Sequence, residues 1–337
     1  NPTTSFVGTD SYTYTITDAN SNTSTATVAM TVTATVSALQ DTATSVTAAV
    51  GGTAIANVAA NDKVNSVQAT LGATGNATVA KFGTWQTGIN LNTNTGAVTV
   101  AIGTQPGSHD VEYKLCDKAR PTVCANVINT VVVTPVITPV TDSGTAPATG
   151  GTAITNVASN DTVNGVAATL GASGNATVAE FGTWQPGITL NTSTGAITVA
   201  NATPHGGPYN VTYQLCDKLT PTAHCNTVSD SVTVTAVALA VDDTFSGVAT
   251  TAGTAGNVLG TSPNQDKVDG VTATLGTSGN ATVAQGSTWN TAFTLTPATG
   301  VITFDNTLAT GSYSLTYTLC VKSTAVCDIG AVTVTVP

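Results

Sequence analysis

The sequence predicts an all-β chain: a tandem array of three antiparallel β-sandwich domains preceded by an N-terminal β-hairpin. Three observations carry this. The 337 residues are rich in Val, Ile and Thr and carry only 8% charged and 5% aromatic residues. β-Branched side chains favour strands, and the usual helix formers are scarce. One unit recurs three times along the chain. Within each unit, short alternating runs are separated by turn residues.

The repeat is read directly. Val-x-Ala-Thr-Leu-Gly stands at 67–72, 166–171 and 271–276, and Gly-Asn-Ala-Thr-Val-Ala at 75–80, 174–179 and 279–284. Trp85, Trp184 and Trp289 follow, then a Thr-Gly turn ending at Gly96, Gly195 and Gly300. A Tyr-x-Leu-Cys strand ends at Cys116, Cys216 and Cys320, with a second Cys at 124, 225 and 327. The period of about 100 residues is too long for a solenoid and fits independent domains. Its phase sets boundaries at 36–137, 138–237 and 238–337. The junctions are short and apolar, and the first contains Pro135 and Pro139, which predicts a stiff, elongated rod.

The strand before the first Cys is the clearest element. Val111, Tyr113 and Leu115 alternate with Glu112 and Lys114, and Val211, Tyr213, Leu215 and Leu315, Tyr317, Leu319 repeat the pattern. One face is apolar and the other polar, as for a strand over a core. Each first Cys is out of phase with that face. Local pairing is favoured: Cys116–Cys124, Cys216–Cys225 and Cys320–Cys327, each closing a loop between adjacent strands. The spacing does not suit zinc or a redox-active pair.

Residues 1–35 do not begin a fourth copy. Tyr12, Tyr14 and Ile16 alternate with Thr, a turn follows at Asn20-Ser21-Asn22, and a second run covers 25–32. This reads as one hairpin, and two strands do not make a stable sandwich in water. Either the array is truncated here, making the chain a processed or partial product, or another subunit completes the sheet by strand addition.

Function classes narrow by exclusion. The chain has eight Lys and Arg against eighteen Asp and Glu, a net charge of −10 with no basic cluster, so nucleic acid is not a partner. Every apolar run is broken before it reaches membrane-spanning length. With three His and no Gly-x-Ser-x-Gly elbow, no nucleophile–base constellation is assignable, and no enzyme is expected. Low charge and paired Cys point to an extracellular setting. The Trp residues read as core packing rather than a sugar-stacking row. Asp residues after Asn61 and Asn160 read as turn starters. No cofactor is expected; the best calcium candidates are Asp242, Asp243, Asp266 and Asp269 in the third unit. Lys118, Lys218 and Lys322 fall in the disulfide loops, away from any isopeptide geometry, and the sequons at Asn76, Asn175 and Asn280 mark exposed turns.

Trp184-Gln185-Pro186-Gly187-Ile188-Thr189-Leu190, running on to Thr194-Gly195, with its counterpart at Gly83–Gly96, resembles the signature of bacterial Ig-like and cadherin-like tandem repeats. Tyr213–Asp217 resembles strands of the same arrays, and the 1–35 segment their two closing strands. The resemblance implies Ig-like sandwiches in adhesins, stalks, fibres and surface layers at the bacterial cell surface. The expected function is a structural subunit of an extracellular fibre, stalk or surface layer, self-associating head-to-tail or laterally. The alternative is the stalk of an adhesin that binds a host-surface or glycan ligand. Cadherin-type Asp-x-Asn-Asp calcium motifs are absent from the sequence.

Overall fold

The computed structural model describes residues 6–219, 222–261, 264–304 and 308–337; the first five residues of the expected 1–35 hairpin lie outside them. All regular structure among the described residues is β-strand. No helix there is long and apolar enough to cross a membrane. The chain divides into two compact units. One comprises the described residues of 1–138, 162–167 and 219–224, the other those of 139–161, 168–218 and 225–337. The short strands 162–163 and 166–167 group with the first unit because they form a sheet with Ile137–Thr138.

Each repeat builds three sheets. In the first, Val46–Thr47 lies parallel to Arg120–Thr134, which pairs antiparallel with Gly107–Asp117, itself flanked by Ala77–Lys81. The second and third repeats have the same order from Ser143–Pro147 and Asp243–Ser246. A three-stranded sheet follows the order Gly52–Ile55, Val98–Val100, Ile89–Leu91, and recurs in the other two. A small sheet of two-residue strands joins Val36–Ser37 to Lys63–Val64 and Val67–Gln68. The closing pair of long strands is the backbone of each repeat. Its alternation is realised in full: Val111, Tyr113, Leu115, Val131 and Val133 are buried, while their neighbours face outward.

Aliphatic residues surround Tyr113 in the first core, among them Ile55, Val58, Ile89, Val98 and Leu115. The third uses larger rings. Phe293 and Phe304 replace Ile89 and Val100, and Phe293 meets Phe304 and Tyr313 at centroid distances of 6.1 and 5.4 Å. Compensation is visible at Gly256, which pairs with Ile302 as Ile55 pairs with Val98. A Cβ there would lie 2.3 Å from the Phe245 ring, so the phenyl occupies the space an isoleucine takes in the first repeat. Close packing demands such volume exchange.

Candidate functional site

Three recurring polar devices hold each repeat together, and a fourth feature is left open. The first device is a buried tyrosine–aspartate pin. Tyr113, Tyr213 and Tyr317 are fully buried in mid-strand. Their hydroxyls donate to Asp62 (2.7 Å), Asp161 (2.7 Å) and Asp266 (2.8 Å). The other oxygen of each Asp accepts the backbone N–H of Leu39, Val140 or Val241. Each pin thus ties the segment entering its repeat to the penultimate strand. Burial pushes the Asp62 carboxyl up, opposed by the Leu39 and Tyr113 hydrogen bonds. Burial and the adjacent carboxylate push the Tyr113 hydroxyl up as well, so it stays a donor. The sequence reading of Asp62 and Asp161 as local turn starters is therefore corrected. Their carboxylates are buried, and partners 21–52 residues away take up their oxygens.

The second device clamps the segment entering each repeat. Asn65, Asn164 and Asp269 sit in two-residue hairpin turns at φ of 53°, 54° and 53°, a left-handed conformation that Asn and Asp tolerate. Their N–H groups donate to the carbonyls of Thr35, Val136 and Val237 at 2.7–2.8 Å. Their Oδ1 atoms accept the N–H of the same three residues at 2.9 Å. Asp269 also lies 2.6 Å from His205 Nδ1 through its other oxygen. Replacing Asn164 with Ala removes one hydrogen bond and leaves a β-carbon in a left-handed turn. The expected loss is about 2 kcal/mol of local stability, read as faster hydrogen exchange at Val136.

The third device sits at the disulfide tips. Cys116–Cys124, Cys216–Cys225 and Cys320–Cys327 are bonded, with S–S lengths of 2.07, 2.01 and 2.04 Å. Each pair is directly opposite in register. Lys118, Lys218 and Lys322 reach from these tips to the carbonyls of Gly72, Gly171 and Gly276. These lysines therefore recur structurally, as donors to the turn after Leu71, Leu170 and Leu275.

Other sequence candidates have plain positions. Trp184 is 8% exposed, while Trp85 and Trp289 pack partly buried against their cores. Each indole N–H donates to a backbone carbonyl at 2.8 Å. The sequon residues are not free turn residues. Asn76 and Asn280 are half-buried, accept Thr70 and Thr274 N–H, and donate to Gln68 and Thr272 carbonyls. Asn175 accepts Thr169 N–H in the same way. His109 lies within the strand Gly107–Asp117.

The four calcium candidates do not converge on one point. Asp266 is taken up by its tyrosine pin, Asp269 by its linker clamp, and Asp242 accepts Ala331 N–H. Asp243 remains, with Oδ2 buried and unpartnered. Among the described residues, no group of three or more His, Cys, Asp or Glu side chains is placed to hold a metal ion.

The open feature is the N-terminal hairpin, Gly8–Thr17 paired with Thr23–Val32. Its register is that of a closing strand pair. Gly8 faces Val32 as Gly107 faces Val133 and Gly311 faces Val336. Tyr12, Tyr14 and Ile16 thus occupy the places of Val111, Tyr113 and Leu115, and Thr17 and Thr23 stand where Cys116 and Cys124 are bonded. Yet among the described residues this sheet has two strands. Tyr12, Tyr14, Ile16 and Met30 are 43–60% exposed, whereas Val111, Tyr113 and Leu115 are at 0%. The hairpin presents a core face with no core on it.

No protein-family model matches the chain, and no curated protein matches it. Solved structures similar to it include extracellular cadherin repeats. The protocadherin gamma B2 cadherin domains 3–6 match at 12% identity over 98% of this chain and 83% of that one, with a TM-score of 0.27. Drosophila N-cadherin EC1–4 matches at 11% over 98% and 83%, TM-score 0.28. Human CDH23 EC21–23 matches at 15% over 76% and 88%, TM-score 0.28. At these similarities, the β-sandwich assignment rests on the sheet order described above.

Proposed function

We propose that this chain is a structural, adhesive-type repeat protein of an extracellular bacterial surface assembly, and that copies associate through the N-terminal hairpin. The exposed core face carries the reading. Four large apolar side chains stand in water at positions that are buried in the repeats. Among the described residues, both edges of the hairpin also lack the neighbours that flank the closing pair elsewhere. Apolar area of this kind is stabilised by being covered, and free strand edges are templates for another chain. Three disulfides suit an oxidising, extracellular compartment. Low charge leaves little repulsion against close packing of copies.

The test is deletion of residues 1–34. Sedimentation velocity over a concentration series should show reversible association of the full chain and a monomer for the deleted one. Near-ultraviolet circular dichroism should report unchanged tertiary packing in the sandwiches. Association of the deleted chain at wild-type strength would remove the hairpin from the account.

A further inference from the structure

The three repeats differ at one buried position on the last strand. Asn129, Asp230 and Val332 lie opposite Val111, Val211 and Leu315, and all three are at most 1% exposed. Beside each stands an acid from the segment entering the repeat, two residues beyond the pinned N–H: Asp41, Asp142 and Asp243. In the first repeat the two side chains close a ring. Asp41 N–H donates to Asn129 Oδ1 at 2.8 Å, and Asn129 Nδ2 donates back to Asp41 Oδ2 at 3.0 Å.

The second repeat keeps only half of that ring. Asp142 N–H donates to Asp230 Oδ1 at 2.8 Å, as before. The returning amide is replaced by a carboxylate. Asp142 Oδ2 and Asp230 Oδ2 are both buried, and neither has a hydrogen-bond partner. Asp142 Oδ1 is already taken by Asn160 Nδ2 at 3.0 Å. The titratable groups around the pair are Asp161 and Tyr213. Asp161 gives its oxygens to Val140 N–H and the Tyr213 hydroxyl, so it supplies no hydrogen. The ion pairs among the described residues lie elsewhere, at Arg120–Asp117 and His205–Asp269. Two buried acceptors left without a donor, at the places where the first repeat pairs an amide with a carboxylate, are costly.

We infer that Asp142 and Asp230 share one proton from solvent, held between their Oδ2 atoms where the first repeat holds an amide hydrogen. A proton suits the gap better than a metal. Only two oxygens are free, whereas calcium takes six to eight, and the equivalent space at Asn129 is filled by an N–H. Burial, and then the charge of Asp142, push the Asp230 carboxyl up to about 7. Burial and the charge of Asp161 push Asp142 up too. The pair titrates as a unit, with one proton retained well above the ordinary carboxylate range.

The sign follows from linkage. The folded pair holds its proton to about pH 7, while unfolded Asp loses it near 4. The stabilisation is full below the unfolded value and is lost as pH rises through the folded one. The entry strand Ser143–Pro147 and the last strand Cys225–Thr235, joined beside this pair, are therefore held most tightly in acid.

Carboxyl carbon NMR on the full chain with labelled Asp tests this. Asp142 and Asp230 should show the same two titration steps, separated by two pH units or more, the upper near 7. Hydrogen exchange in 225–235, corrected for intrinsic rate, should speed up by as much as tenfold per pH unit from about 5 to 7 and level off above. Asp230→Asn copies the first repeat, so Asp142 should then titrate in one step. Independent single steps for both wild-type carboxyls below pH 5 would overturn the inference. So would an upper step that persists in Asp230→Asn. So would its abolition by millimolar calcium, which would mark a cation site.

Discussion

Replacing Tyr113 with alanine should lower the stability of the first repeat by about 3–5 kcal/mol. The ring is fully buried at the centre of the apolar cluster, so truncation leaves a cavity as well as lost contact. The hydroxyl adds a second loss. Without it, Asp62 Oδ2 loses the donor it holds at 2.7 Å. Tyr113→Phe isolates that part, with an expected cost of about 1–3 kcal/mol. A chain of several repeats need not unfold in one step. Site-resolved hydrogen exchange over 107–134 is therefore the proper readout, with 311–336 as the internal control. Equal protection in Tyr113→Phe and wild type would show that the pin adds nothing beyond packing.

Removing a disulfide should have the next largest effect. Cys320→Ser with Cys327→Ser frees a loop of eight residues, counting both ends of a separation of seven. Loop-closure entropy assigns that crosslink about 2.5 kcal/mol. The effect should stay local, because the sulfurs lie on the outward face of their strands and no core side chain depends on them. Exchange should quicken at the tip, around 320–327, and fade along the closing pair. A loss of the whole third repeat would show that the crosslink does more than pin a hairpin end. The N-terminal hairpin supports the local view, since Thr17 and Thr23 stand opposite one another there without a bond and the ten-residue ladder persists.

The alternating closing strands were legible in the sequence because a half-buried strand writes its burial with a period of two. Val111, Tyr113 and Leu115 show it plainly, and the Thr-Gly turns and the repeat phase follow from local chemistry. The pins were not legible. Asp62 and Tyr113 are 51 residues apart, and nothing local distinguishes a carboxylate that starts a turn from one buried against a distant hydroxyl. The structural role of the sequon asparagines was not legible either, although their partners are local. Asn76 is bound across its own turn to Thr70 and Gln68, so a glycosylation pattern marks a structural asparagine here. Tyr12, Tyr14 and Ile16 declared an apolar face from the start. Only register against Val111, Tyr113 and Leu115 shows that it corresponds to the core face of a repeat.

Hydrogen exchange across residues 8–32, followed as the concentration of the full chain is raised, tests that central claim most directly. Covering the hairpin by another copy predicts protection that climbs with concentration, first at Tyr12–Ile16, while the three repeats stay unchanged. Exchange in this segment that is fast and independent of concentration, in material that nevertheless associates, would contradict it and move the joint to another surface.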